Sequence, residues 1–288
     1  MCYPAVEDED VMEIENKPIE ELEQLAVETR KWIVRMISES GTGHLGGSLS
    51  CVEILVTLYF RQARVNPANP RWPERDRILL SKGHAGPALY AVLALRGYID
   101  TAELYTLDKP GTRLSKHVDR AKLPACDISA GMLGQGLSMG AGMALGARLT
   151  NKPSRVYAIL SDGEQQAGQT WEAAMAAAKY KLDNLTAIID RNKLQVDGPS
   201  EEVMPVEPLA AKWRDFGWHV LEVNGHDVGQ LLHAYDLAVA WKDQPTAIIA
   251  HTEKGHGVSF SAGKVQWHNK ALSPEEARLA LAELGEIA

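Results

Sequence analysis

The chain has 288 residues, 45% hydrophobic and 24% charged, enough for one large α/β domain or two small ones. Its formal charge of −8 is uneven: residues 1–28 hold ten acids against Lys17, a sum of −9, so the other 260 residues carry about +1. There is no long Lys/Arg run for nucleic acid and no apolar run near the ~18 residues of a membrane helix; the acidic start lacks a signal-peptide pattern.

Residues 1–17 are expected to form an acidic, disordered leader. Cys2, Cys51 and Cys126 are scattered without a CxxC pair, so neither a zinc site nor a disulfide framework is expected, and a cytoplasmic location is the simplest reading.

In residues 18–39 the apolar positions Ile19, Leu22, Leu25, Ala26, Ile33 and Ile37 fall on one helical face, and Gly41 and Gly43 stop the helix. A second helix is expected over 48–62, a short buried strand at 76–80 and a helix over roughly 86–96. Residues 100–126, polar and punctuated, read as a long surface loop, and 135–149 as a helix rich in Gly and Ala.

Strands at 156–160, 185–190, 218–223 and 246–251 then alternate with helices at 169–182, 206–216, 227–241 and 274–286. Short apolar strands alternating with helices predict a doubly wound, mainly parallel sheet with helices on both faces, one α/β domain over 18–288. Ligands of such sheets sit at the carboxyl ends of the strands.

Two strand ends carry hard ligands. Asp162 follows the strand VYAIL with only Ser161 between, and Asn192 follows LTAIID. Strands joined by one crossover are commonly neighbours, which would bring the two side chains together. A carboxylate and an amide oxygen suit Mg2+ or Ca2+, and Gly163 lets backbone N–H groups approach a phosphate. The competing reading is an Asp-Gly turn that caps the next helix.

The stretch from SDGEQQAGQTW to DRNK resembles the thiamine-diphosphate motif, which runs from Gly-Asp-Gly through about thirty residues to Asn; Asp162 and Asn192 are 30 positions apart. SGTGHLGGSLS, LLSKGHAG, ISAGMLGQGLSMG and QWHNKAL are similar, in order and spacing, to segments of transketolases. The resemblance covers residues 20–270 and implies the N-terminal, diphosphate-binding half of a transketolase. It further implies a separate C-terminal subunit carrying the pyrimidine-binding domain, an α2β2 assembly, and sugar or sugar-phosphate substrates.

By that resemblance Asp162, Asn192 and the main-chain oxygen of Leu194 would hold the metal, and Gly163 would sit against the diphosphate. His84 and His268 would contact the diphosphate, Gly131 and Leu133 would lie beside the cofactor ring, and Glu164 is grouped with these cofactor residues. His44 and His117 would line the substrate entrance and move protons. His256, between glycines in KGHG, is open to either a cofactor contact or a plain loop role.

The departures are Ser161 for the motif's first glycine, Lys116 for a glycine beside His117, and Ala167 where transketolases usually carry an interface glutamate. Glu172 keeps a second family acid. Two other readings stay open: a non-catalytic cofactor-binding or regulatory subunit, and a component of an E1-type 2-oxo acid dehydrogenase.

Overall fold

A computed structural model describes residues 16–286, so nearly all of the expected acidic leader lies outside the described residues. Among the described residues five strands, β1 (Arg77–Leu80), β2 (Val156–Ser161), β3 (Leu185–Arg191), β4 (His219–Asn224) and β5 (Thr246–His251), form one parallel sheet in the order β1-β2-β3-β5-β4. The alternation of strand side chains explains its two cores. Ile78, Leu80, Tyr157, Ile159, Ile188 and Ile248 point to one face. Leu79, Val156, Ala158, Leu160, Ala187, Ile189, Ala247 and Ile249 point to the other.

The first face is covered by α1 (Ile19–Ser40), α3 (Val52–Thr57), α4 (Gly86–Arg96), α9 (Val228–Ala240) and α10 (Pro274–Glu283), which share that core. The second is covered by α5 (Gly136–Leu149), α6 (Gly168–Lys179) and α8 (Leu209–Asp215). The doubly wound expectation therefore holds, and the central strands β2 and β3 are buried along their whole length. At the edge, β4 is only half buried and carries Glu222 and Asn224 exposed.

Two segments differ from the sequence reading. The expected helix over 48–62 is three pieces: α2 (Leu45–Leu49), α3, and a π-helical turn Leu58–Gln62. The break at Ser50–Cys51 turns the Ser50 hydroxyl onto Asp190 at 2.6 Å, deep in the interior. The loop expected over 100–126 is not merely superficial. It begins with a 3-10 helix, Thr101–Thr106, and drives Leu104, Leu107, Leu114, Val118, Leu123 and Cys126 into the core. Its end is fastened to β1, because Asp127 accepts the Ile78 N–H at 2.8 Å and the Arg75 guanidinium.

Candidate active site

β2 and β3 are paired in register up to Ser161 and Asp190, so the residues that follow them meet at the carboxyl edge of the sheet. Asp162, Gly163, Asn192 and Leu194 line one cavity of about 200 Å3 there, joined by His84, Leu133 and His268. The Asp162 carboxylate is nearly filled by protein donors. Its Oδ2 accepts from Lys193 N at 2.6 Å and Arg191 Nη1 at 2.9 Å, while Oδ1 accepts from Gly163 N at 2.7 Å. Burial, and then the Asp190 carboxylate, push its pKa up against the pull of Arg191. Arg191 itself is held from behind by Glu201, on the short helix α7 (Ser200–Val203), and by Glu207, at 2.8 and 2.9 Å.

A second cavity, of about 770 Å3, opens beside the first and is lined by His117, Gly131, Lys116 and Asp108. His44 lies between the groups. Its ring centroid is 5.4 Å from those of His84 and His117 and 5.6 Å from that of His268. Burial, followed by the neighbouring His268 and His117, lowers the His44 pKa to about 3. His268 falls to about 4 through burial and Lys254, and His84 and His117 are lowered too, chiefly by burial. All four rings are therefore neutral near pH 7 and able to accept a proton. The Nδ1 of His44 is buried without a hydrogen-bond partner among the described residues.

Lys254 is absent from the sequence reading. It follows β5 in TEKGHG, lines the first cavity, and is 2% exposed. Its Nζ donates to Leu194 O at 3.0 Å and meets His268 Nδ1 at 2.7 Å. Burial, then the Lys82 charge, lower its pKa to about 8, which leaves it cationic at pH 7. Gly47 is absent from that reading as well: it lines the same cavity, and a Cβ there would stand 3.1 Å from the His84 ring. Behind this wall Lys82 and Asp190 form a fully buried ion pair, with Gly47 O accepting from Lys82 at 2.8 Å.

Glu164 lines neither cavity. The resemblance groups it with the cofactor residues, but its side chain turns inward and is 0% exposed. It accepts from the Ser81 hydroxyl, from Gly134 N at 2.7 Å and from Ser161 N at 3.1 Å. It ties the glycine loop around Gly131–Gly136 to the end of β1 and to the Asp162 turn. His256 also lies outside both cavities; its ring stacks on His226 at 3.6 Å.

The cleft suits a diphosphate held through a hard cation. One Asp162 oxygen, the Asn192 amide oxygen and Leu194 O offer oxygen ligands of the kind Mg2+ or Ca2+ takes. Leu194 O accepts from Lys254 at 3.0 Å, so this carbonyl and the lysine share one wall of the cavity. Gly163 lines the same cavity without a side chain.

Fold and site together define a parallel α/β unit whose carboxyl-edge cleft joins oxygen ligands, a lysine and neutral histidines. The chain matches the description "Transketolase, thiamine diphosphate binding domain" over residues 22–286, and it belongs to the transketolase family. It is 47% identical to the 6-deoxy-6-sulfo-D-fructose transketolase subunit SqwG of Clostridium sp. (strain MSTE9), over 92% of this chain and 96% of that one. It is 40% identical to a subunit of the apulose-4-phosphate transketolase of Phocaeicola vulgatus, over 93% and 95% of the two chains. The solved transketolase of Campylobacter jejuni superposes with a TM-score of 0.88 at 29% identity, covering 93% of this chain but 43% of that one. The chain thus corresponds to the N-terminal subunit of a transketolase divided between two polypeptides, a transferase component.

Proposed function

We propose that this subunit transfers a two-carbon ketol unit from an anionic ketose to an aldose, holding thiamine diphosphate through Mg2+ on Asp162, Asn192 and Leu194 O. The observation that carries the reading is the convergence of four neutral histidines on a cleft that pairs oxygen ligands with Lys254. When bound, the cofactor supplies the carbanion chemistry. His84, His268 and Lys254 fix its diphosphate, and Gly131 and Leu133 border its rings. His44 and His117 take and return protons of the sugar hydroxyls.

A partner subunit bearing the pyrimidine-binding domain completes the site, in an α2β2 assembly. Supporting this, apolar side chains around the cleft face outward: Met132 is 79% exposed, Val196 59% and Met204 57%. The location is cytoplasmic, in keeping with the buried free thiols of Cys51 and Cys126. The ketose carries a sulfonate or phosphate: the two related subunits are named for a sulfonated and a phosphorylated sugar. Lys116 at the mouth of the larger cavity supplies a matching positive charge.

The test combines the chain with a pyrimidine-domain polypeptide, Mg2+ and thiamine diphosphate and assays ketol transfer from sulfonated, phosphorylated and neutral ketoses. Transfer preferring the anionic donors is expected. Lys116→Gly should narrow that preference, and an unchanged ranking would remove Lys116 from substrate reading. Cofactor binding without transfer by any partner would favour a non-catalytic subunit.

A further inference from the structure

At the opposite end of β1 from the cleft, roughly 13 Å along the strand, arginines gather around another cavity. It measures about 500 Å3 and is lined by Arg71, Arg75, Arg77, Arg120, Asp127 and Met143. Four guanidinium groups against one carboxylate leave +3 at its wall.

That carboxylate is already spent. Asp127 holds Arg75 through two bonds, Nη2 to Oδ1 at 2.6 Å and Nη1 to Oδ2 at 3.1 Å, and also takes the Ile78 N–H. Arg75 is 8% exposed and further fixed by Pro70 O at 2.8 Å. The cavity's other arginines have no carboxylate partner among the described residues. Arg77 gives Nη2 to Pro73 O at 3.1 Å, while its Nη1 is buried with no partner among those residues. Asp76, a second acid whose charge acts on Arg77, is taken by Arg64 at 2.9 Å and by Arg155 N at 2.8 Å. Burial and the Arg75 charge push the Arg77 guanidinium down, the situation an anion would relieve.

An excess of forked donors around a concave space matches the oxygens of a phosphate, which guanidinium groups bind two at a time. A buried donor without an acceptor is costly, and a bound oxygen would satisfy it. We propose that this arginine cavity is a binding site for a small phosphate-bearing anion, separate from the cofactor cleft. Arg120 and Asp127 belong to the segment that carries His117 and Gly131 into the active site. Occupation therefore braces that segment from its far side.

The experiment is calorimetric titration of inorganic phosphate into the full chain at fixed ionic strength. Phosphate could also enter the cofactor cleft, so the titration is repeated with Lys254→Ala. Binding should survive Lys254→Ala and weaken about tenfold in Arg71→Gln and in Arg120→Gln. Both of those arginines are exposed, so glutamine there leaves the fold intact. Phosphate should also raise the melting temperature of the unaltered chain more than that of either arginine variant. Absence of phosphate binding would overturn the proposal. So would binding that vanishes with Lys254→Ala and ignores both arginine changes.

Discussion

Two histidine clusters in this chain are built to opposite ends. In one, the His44 ring lies 5.4 to 5.6 Å from those of His84, His117 and His268 beside open cavities, and its buried Nδ1 has no partner among the described residues. In the other, Glu53, His226 and His256 bring their ligating atoms within 4.8 Å, spacing that a metal ion could bridge. Yet two members of that second cluster, Glu53 and His226, are spent. His226 Nδ1 meets Glu53 Oε2 at 3.1 Å, its Nε2 accepts from Glu253 N at 2.8 Å, and Glu53 also holds Arg30 at 2.6 Å. Proximity of ligating atoms reports packing. In the first cluster a buried ring nitrogen left without a partner, His44 Nδ1, sits beside the cavities instead.

The sharpest break of this comparison is a pair of substitutions. His44→Ala should cut ketol transfer by the assembled enzyme about 10²–10⁴-fold, the range for losing one acid–base group. His256→Ala should leave transfer intact. Equal effects in the two would erase the distinction between the clusters. Next in size is Lys254→Ala. Loss of a charge-assisted hydrogen bond of about 1.5–3 kcal/mol should weaken thiamine diphosphate binding at least about tenfold, read by calorimetry.

The second cluster should respond in stability instead. Burial alone would raise the Glu53 carboxyl, but Arg30 and His226 hold it below its ordinary value of 4.5. A depressed carboxyl contributes stability that is fully present above the unfolded pKa and lost as pH falls through the folded one. Glu53→Gln should therefore lower stability by about 1–3 kcal/mol at pH 7. Below pH ~4.5 its urea midpoints should converge on those of the unaltered chain. Cofactor affinity should not move; if it does, the two clusters are coupled.

The legible part of the site is the part set by strand ends. Asp162, Asn192 and Leu194 lie where parallel register puts them, so spacing alone brings them together. Lys254 obeys the same rule at the end of β5, and the strand-end position is its available signal. Glu164 is less legible: a turn of 3-10 helix, Gly163–Gln166, places its side chain under the glycine loop, which no linear spacing reveals. The connection over 100–126 misleads for a related reason. Its apolar residues follow neither helical nor strand periodicity, because separate anchors rather than a regular element bury them.

The smallest expected effect concerns Ala167. Gly134 adopts φ +87°, and a Cβ there would lie 2.7 Å from the Ala167 methyl, so the glycine loop is seated directly on this alanine. Ala167 thus has a packing role that its place in a polar loop conceals. Its backbone is extended, and it forms the N-cap of α6 without a side-chain bond to the helix. A glutamate here could not run under Gly134 and would extend outward, on the same helix that presents the exposed Glu172. The carboxylate would then act on the partner side, leaving the Asp162 cleft as it is. Ala167→Glu should change turnover of the assembled enzyme about threefold, roughly 0.7 kcal/mol, without altering thiamine diphosphate affinity. Steady-state kinetics with varied cofactor separates the two quantities. A shift in cofactor affinity alone would place the effect inside the cleft, and unchanged turnover would make Ala167 a packing residue only.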